Sequence, residues 1–338
     1  MRTDLFDFEL PEERIALYPA EPRDAARLLD TRSLADRRFR DLPGLLRPGD
    51  LVVVNRTRVR RARLRGEREA GGGRAEALLL RPVGGGTWEA LVRPARRLRA
   101  GDRLRFGGIT ATVVQNAGGG EALLAIDGGG QEVDEALERW GEVPLPPYFK
   151  GRLEDPERYQ TVYAAGWGSA AAPTAGLHFT PAVLEALQQR GVPLAAVELD
   201  IGVDTFRPIA SASIEEHQMH RESYHVPGET AAAIEAARAR GGRVVAIGTT
   251  VVRTLESAAG DDGRVLPGSG ETALFITPGY RFRVVDVLVT NFHVPGSTLV
   301  VLVAAFMGDA WRTAYGVALE RGYRFLSFGD AMLVERAL

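Results

Sequence analysis

Val244-Val245-Ala246-Ile247-Gly248-Thr249-Thr250 reads as a buried strand that runs straight into a helix. Four apolar residues in a row, three of them β-branched, suit a strand covered on both faces. Gly248 makes the turn, and the threonines open a helix that runs to about Ala259. The pattern recurs on both sides of it. Asp50–Asn55, Ala195–Ile201, Val284–Val289 and Tyr323–Phe328 read as further strands, and Thr230–Arg240 and Ser297 to about Met307 as helices. Pro181 to Gly191 is another helix, with Thr180 as its N-cap. Such alternation predicts an α/β domain around a partly parallel sheet or barrel.

Residues from about Leu64 to about Phe149 follow another pattern. Glycine triplets at 71–73, 84–86, 118–120 and 128–130 separate short runs such as Trp88-Glu89-Ala90-Leu91-Val92. None matches G-x-G-x-x-G between a strand and a helix, so they read as hairpin tips rather than phosphate cradles. A small antiparallel β-barrel is expected over 64–149, inserted into a discontinuous large domain of 1–63 and 150–338.

Composition narrows the chemistry. The 338 residues contain no cysteine, which removes disulfides, thiolate metal sites, cysteine nucleophiles and cysteine-bound clusters. Net charge is −2, so any nucleic-acid contact has to come from a local basic face. Lys150 is the sole lysine among 42 basic residues, hence the one side-chain amine, and the arginine excess weakens any inference from arginine clusters. The stretch MRTDLFDFELPEERIALYP has no apolar leader core, and the apolar run Thr298–Met307 is too short to cross a bilayer. A cytoplasmic, membrane-free monomer is the expectation.

Polar groups gather where the strands end. Thr174 and His178 precede the Pro181 helix, Thr249, Thr250, Arg253 and Glu256 open the helix after Gly248, and Asn291 and His293 follow a strand. Each has a plainer reading: a capped loop, an Arg253–Glu256 surface pair, an asparagine that stabilises a turn. His217, His220, Glu222 and His225 form the densest histidine group; His217 and His220 share a face if the segment is helical. A metal site there is conceivable but lacks H-E-x-x-H. Asp330 ends a strand as a catalytic carboxylate or a cap. Arg56, Arg58, Arg60, Arg61 and Arg63 read as a phosphate-backbone contact or as a solvated strand face.

Eight segments in order resemble one family, the S-adenosylmethionine:tRNA ribosyltransferase-isomerases of queuosine biosynthesis. They are Leu10–Ala16, Gly49–Asn55, Tyr159–Ala164, Ala171–Thr180, His217–Glu222, Gly248–Ser257, Thr290–Leu299 and Tyr323–Met332. The resemblance implies a barrel-like large α/β domain with a small inserted β-barrel. It implies transfer of the ribosyl part of S-adenosylmethionine to 7-aminomethyl-7-deazaguanine at the tRNA wobble position. Adenine and methionine leave, and the base becomes epoxyqueuosine. S-adenosylmethionine is then a substrate, and neither cofactor nor metal is expected. On that reading His178, His217, His220, Glu222 and His293 supply proton transfers. Thr174, Thr249, Thr250, Arg253, Glu256, Asn291 and Asp330 hold the substrate, and the arginines from Arg56 to Arg63 meet tRNA.

The chain departs from the family at Asp200 and Asp204, where His-Val-Gly-x-Gly-Thr-Phe is usual, at Glu271, where Trp-Thr is, and at Arg56, where an acid is usual. A relative with another acceptor, a non-catalytic RNA-binding protein and a histidine-centred metal hydrolase stand as alternatives.

Overall fold

Strand pairing gives an open nine-stranded sheet, a closed barrel and a two-stranded sheet of residues 58–59 with 167–169. The computed structural model describes all residues but 129, 147, 150–152, 154, 203–207 and 338, and leaves aside the side chain at 167. Lys150 and Asp204 therefore lie outside the described residues. One compact unit holds residues 1–58, 146–166 and 172–338, the other 59–145 and 167–171. The second begins before residue 64 because Ala62 already lies in the barrel core and its first strand starts at Arg63.

In chain order the strands are β1 (Arg27–Asp30), β2 (Ala35–Arg38), β3 (Leu51–Asn55) and β4 (Arg58–Val59). Next come β5 (Arg63–Arg68), β6 (Arg74–Gly84), β7 (Thr87–Arg93), β8 (Arg103–Phe106), β9 (Ile109–Gly118) and β10 (Glu121–Ile126). The rest are β11 (Trp167–Ser169), β12 (Leu194–Leu199), β13 (Glu222–Val226), β14 (Val244–Ile247), β15 (Gly268–Thr272), β16 (Val287–Asn291) and β17 (Ala331–Glu335). Helices are α1 (Leu42–Leu45), α2 (Gly130–Trp140), α3 (Pro181–Gln189), α4 (Gly228–Ala239), α5 (Thr249–Ala258), α6 (Thr298–Met307) and α7 (Ala310–Glu320).

The large unit carries a nine-stranded sheet in the order β15-β13-β12-β3-β14-β16-β17-β1-β2. β12, β3, β14 and β16 run parallel; β17 is antiparallel to β16 and parallel to β1. Every residue of β3, β14 and β16 is buried. Side chains alternate between two cores, as the two-residue period of a strand requires. Leu51, Val53, Val244, Ala246 and Leu288 join the core built with α4 to α7. Val52, Val54, Val245, Ile247 and Val289 join the core that includes Phe39, Leu42 and the α3 residues Val183 and Leu187. Burial of each Val, Leu or Ile side chain among them contributes roughly 1.5–3 kcal/mol. Caps fix the helix starts: Thr180 Oγ1 accepts from Val183 N and Ser297 Oγ from Val300 N.

The barrel closes in the order β10-β7-β6-β5-β8-β9, around a core that also takes Val133 and Leu137 of α2. Three glycine triplets fall at the β5–β6, β6–β7 and β9–β10 turns; of the fourth, Gly130 is the first residue of α2 and residue 129 lies outside the described residues.

Two local expectations change. Tyr323–Phe328 is not a strand: Phe325 makes one isolated bridge to Ile15, Leu326 takes a positive φ of 71°, and regular pairing begins only at Ala331. The His217–His220 segment is not helical, since Ile214–Glu216 forms a single 3-10 turn and no regular element follows until Glu222.

At the N-terminal ends of the parallel strands, Asp50 locks β3 to β14. Arg243 donates to it through Nη2 (2.7 Å) and Nε (3.1 Å), and the N–H groups of Arg47 (2.9 Å) and Arg243 (3.1 Å) donate too. Arg243 Nη1 reaches Glu335 at the end of β17 (2.6 Å). We predict that Asp50→Ala lowers unfolding free energy by about 3–5 kcal/mol in denaturant titration, because it strands a half-buried guanidinium and two N–H donors. Asp50→Asn, which keeps one acceptor oxygen, loses less; equal losses would show that the retained oxygen contributes nothing without the charge.

Candidate active site

The C-terminal ends of β12, β3, β14 and β16 share one edge of the sheet, the place where open parallel sheets bind ligands. Asn55 ties two of these ends together: its Nδ2 donates to Leu199 O (3.0 Å), and its Oδ1 accepts from Thr57 N (3.1 Å). Gly248 turns β14 into α5 at φ +91°, a conformation that favours glycine. Thr249 and Thr250 are thus the first residues of a helix whose N–H groups face outward.

A cavity of about 570 Å³ opens there, lined among others by Thr174, Thr249, Thr250, Asn291, His293 and Tyr148. Asn291 is held on both sides: Thr174 Oγ1 donates to its Oδ1 (3.1 Å), and its Nδ2 donates to Leu326 O (3.1 Å). Thr250 Oγ1 is buried with no partner among the described residues. Buried polar atoms are normally satisfied, so this hydroxyl is available to a ligand. His293 Nε2 hydrogen-bonds Thr290 Oγ1 at 3.0 Å, and burial pushes the His293 pKa down to about 3. It is therefore a neutral imidazole at physiological pH and a weak base. The Tyr148 hydroxyl donates to Ser327 Oγ and accepts from Ser327 N (2.9 Å); burial pushes its pKa up to about 12. Leu326 lines the same cavity in a left-handed conformation rare for a branched side chain. Its N–H donates to Phe292 O (3.0 Å), which holds it there.

A second cavity of about 970 Å³ shares Leu299 with the first. Its polar lining is His217, His220, Glu222, Arg253 and Thr298. Arg253 comes from α5 and donates through Nη1 to Glu222 and through Nε to Leu274 O (3.1 Å). Its Nη2 is buried and lacks a partner among the described residues. Glu222 Oε1 also accepts from Gly202 N (2.9 Å). His217 meets Phe275 edge-on at 5.5 Å, and burial, then the nearby His220, lower its pKa.

Other expected site residues lie elsewhere. His178 lines neither cavity. Its ring nitrogens sit 3.1 Å from Ala175 O and 2.9 Å from Gly329 O, its ring stacks on Phe39, and burial lowers its pKa. Glu256 does not pair with Arg253; it accepts from the N–H groups of Arg283 (2.9 Å), Val284 (3.0 Å) and Val285 (3.0 Å). Asp330 braces backbone, accepting from Arg27 N and Arg324 N, both at 2.8 Å. His225 Nδ1 hydrogen-bonds Ser269 Oγ (2.9 Å), and no group of three or more potential metal ligands forms among the described residues. Asp200 is exposed, and Glu271 meets Arg221 at 3.4 Å on the surface.

The arginine row is charge-balanced. Arg56 meets Glu198 (2.8 Å), Arg58 Glu157 (2.6 Å), Arg60 Asp134 (3.7 Å), Arg61 Glu138 (3.8 Å) and Arg63 Glu76 (2.8 Å). Sequence reasoning missed Tyr148, Ser327 and Leu326. Nothing local to Tyr148 announced its distant serine partner.

A polar cleft at the strand ends of a mixed α/β sheet, in a chain that also carries a closed barrel, defines a class of architecture, and the relatives narrow it. The profile of a family described as queuosine biosynthesis protein matches residues 3–334. A protein of Methylobacterium sp. (strain 4-46), named S-adenosylmethionine:tRNA ribosyltransferase-isomerase, is 52% identical over 359 aligned positions, covering 100% of this chain and 99% of its own. A protein of the same name from Brucella ovis is 50% identical over 355 positions, covering 99% and 98%. The crystal structure of S-adenosylmethionine tRNA ribosyltransferase from Thermotoga maritima is 38% identical, covers 97% of this chain and 99% of its own, and superposes with a TM-score of 0.54. This chain belongs to the queuosine biosynthesis protein family.

His293 gives a pH prediction. Its folded pKa of about 3 lies below the ordinary 6.5, so between these values the unfolded chain binds more protons and stability rises with pH. Above 6.5 the term is constant; below, it costs up to about 1.4 kcal/mol per pH unit. Denaturant titrations from pH 4 to 7 should show a shallower slope for His293→Asn than for wild type. Identical slopes would place the titration elsewhere.

Proposed function

We propose that this chain moves the ribosyl part of S-adenosylmethionine onto 7-aminomethyl-7-deazaguanine at the tRNA wobble position, yielding epoxyqueuosine, adenine and methionine. The observation that carries the reading is the whole-length identity to proteins of that name, 52% in the Methylobacterium relative. The adjoining cavities at the strand ends support it, because they present unsatisfied donors and neutral imidazoles rather than a bare cationic surface.

The chemistry suits these groups. A sulfonium acidifies the neighbouring C5′ hydrogens, so a modest base removes one. Adenine leaves more readily once a ring nitrogen is protonated, and methionine leaves as a neutral thioether without an acid. His217 is the base in this reading: it faces the larger cavity, and its lowered pKa keeps it unprotonated at neutral pH. In this reading the Arg253 Nη2, which lines the same cavity and has no partner among the described residues, takes the methionyl carboxylate. Thr249, Thr250 and Asn291 hold the adenosyl hydroxyls and ring nitrogens. His293, too weak a base for the task, serves as a neutral hydrogen-bonding group. S-adenosylmethionine is a substrate, and the chemistry calls for no further cofactor.

The test is incubation with S-adenosylmethionine and tRNA carrying the 7-aminomethyl-7-deazaguanine precursor, read by mass spectrometry. Epoxyqueuosine with matching adenine is expected. Folded protein that binds S-adenosylmethionine yet forms no product would indicate another acceptor. His217→Asn should lower kcat by about 10²-fold or more while leaving the KM for S-adenosylmethionine within a few fold. In wild type, kcat/KM should fall on the acid side, below pH 6.5, as His217 gains a proton. A His217→Asn enzyme with full turnover would remove the residue from the mechanism.

A further inference from the structure

The barrel has its own concavity, of about 1430 Å³, lined by Arg65, Arg68, Arg74, Arg93 and Arg97 against a single carboxylate, Glu76. Strand register builds it. Arg65 on β5 stands opposite Glu76 on β6, which stands opposite Arg93 on β7, so the three share a sheet face. Arg74 opens β6, and Arg97 sits on the 3-10 turn that follows β7. Charge balance here differs from the Arg56–Arg63 row. Glu76 is taken by Arg63 at 2.8 Å, Arg65 meets Glu142 at 3.4 Å, and Arg68 meets Asp102 at 3.4 Å. Arg74, Arg93 and Arg97 are exposed and have no carboxylate within ion-pair distance among the described residues. Arg68 Nε is buried without a hydrogen-bond partner.

Three uncompensated guanidiniums around a hollow call for an extended anion with acceptors at several points. We propose that this concave barrel face binds the phosphate backbone of the RNA substrate, and that Arg74, Arg93 and Arg97 are its phosphate contacts. The inference rests on the reading that RNA is the acceptor. A phosphodiester chain matches it better than a small anion, because the hollow is wide and its donors are spread over three elements. Contacts of this kind carry no sequence information; they raise affinity and hold the RNA in register.

The experiment uses the full chain and a fluorescently labelled anticodon-arm RNA hairpin, titrated by anisotropy across a salt series. The R74A/R93A/R97A variant should weaken binding about tenfold or more near 0.1 M salt. It should also lower the slope of log K against log salt by about 2, since each lost phosphate contact removes about 0.7–0.9. R74K/R93K/R97K, which keeps the charges, should restore most of both, and melting curves should match wild type. Unchanged affinity and slope in the alanine variant overturns the proposal. So does displacement of the hairpin by millimolar inorganic phosphate beyond that by chloride at equal ionic strength, which would define a small-anion site. Binding needs no turnover, so the two readings fail separately. Wild type that binds RNA without making product sinks the proposed reaction alone. Full turnover with unchanged binding in the alanine variant sinks this inference alone.

Discussion

Burial of β3, β14 and β16 on both faces is the constraint from which the rest of the large unit follows. Between two apolar cores, an unpaired polar side chain along these strands would cost several kcal/mol, at the upper end of roughly 2–7. Polar groups are therefore pushed to the strand ends, and the two ends have different tasks. At the N-terminal ends Asp50 and Arg243 satisfy one another and tie β3 to β14. At the C-terminal ends Asn55, Thr249, Thr250 and Asn291 are buried among turns and helix starts, where donors remain for a ligand. Structural and chemical polarity are thus separated by the length of a strand.

The sequence revealed the elements whose signals are local. Gly248 marked the turn from β14 into α5, Ser297 capped α6 as its position implied, and the glycine triplets at 71–73, 84–86 and 118–120 fell at barrel hairpins. Signals that depend on distance were not legible. Tyr323–Phe328 has strand-like composition, but Leu326 at positive φ is held by Phe292, and that partner cannot be seen from a window of neighbours. Arg253 and Glu256 look like a helix-surface pair at their spacing. The nearer partner in space is Glu222, and Glu256 is occupied by three N–H groups of another loop.

Histidine shows the same limit in electrostatic terms. His178 and His293 both follow strand- or loop-end motifs, yet one is enclosed between two carbonyls against Phe39 and the other faces the cavity. Arginine shows it on a larger scale. With 41 of 42 basic residues being arginine, sequence alone could not tell neutralised from bare positive charge. Only the positions of Glu198, Glu157, Asp134, Glu138 and Glu76 separate the balanced row after β3 from the barrel hollow.

The place of β17 has a consequence for how the chain is made. Among the strands of the sheet it is last in sequence, yet it lies inside the sheet, between β16 and β1. The β1–β2 hairpin, which precedes the sheet's other strands in chain order, has no other strand among the described residues to join until residues 331–335 emerge. The barrel strands, in contrast, all lie between residues 63 and 126 and, among the described residues, pair with each other. Vectorial synthesis therefore favours a barrel that matures early, while the large sheet completes late by insertion of its final strand. During that interval the edge of β1 that later receives β17 stays unpaired and open to misassociation.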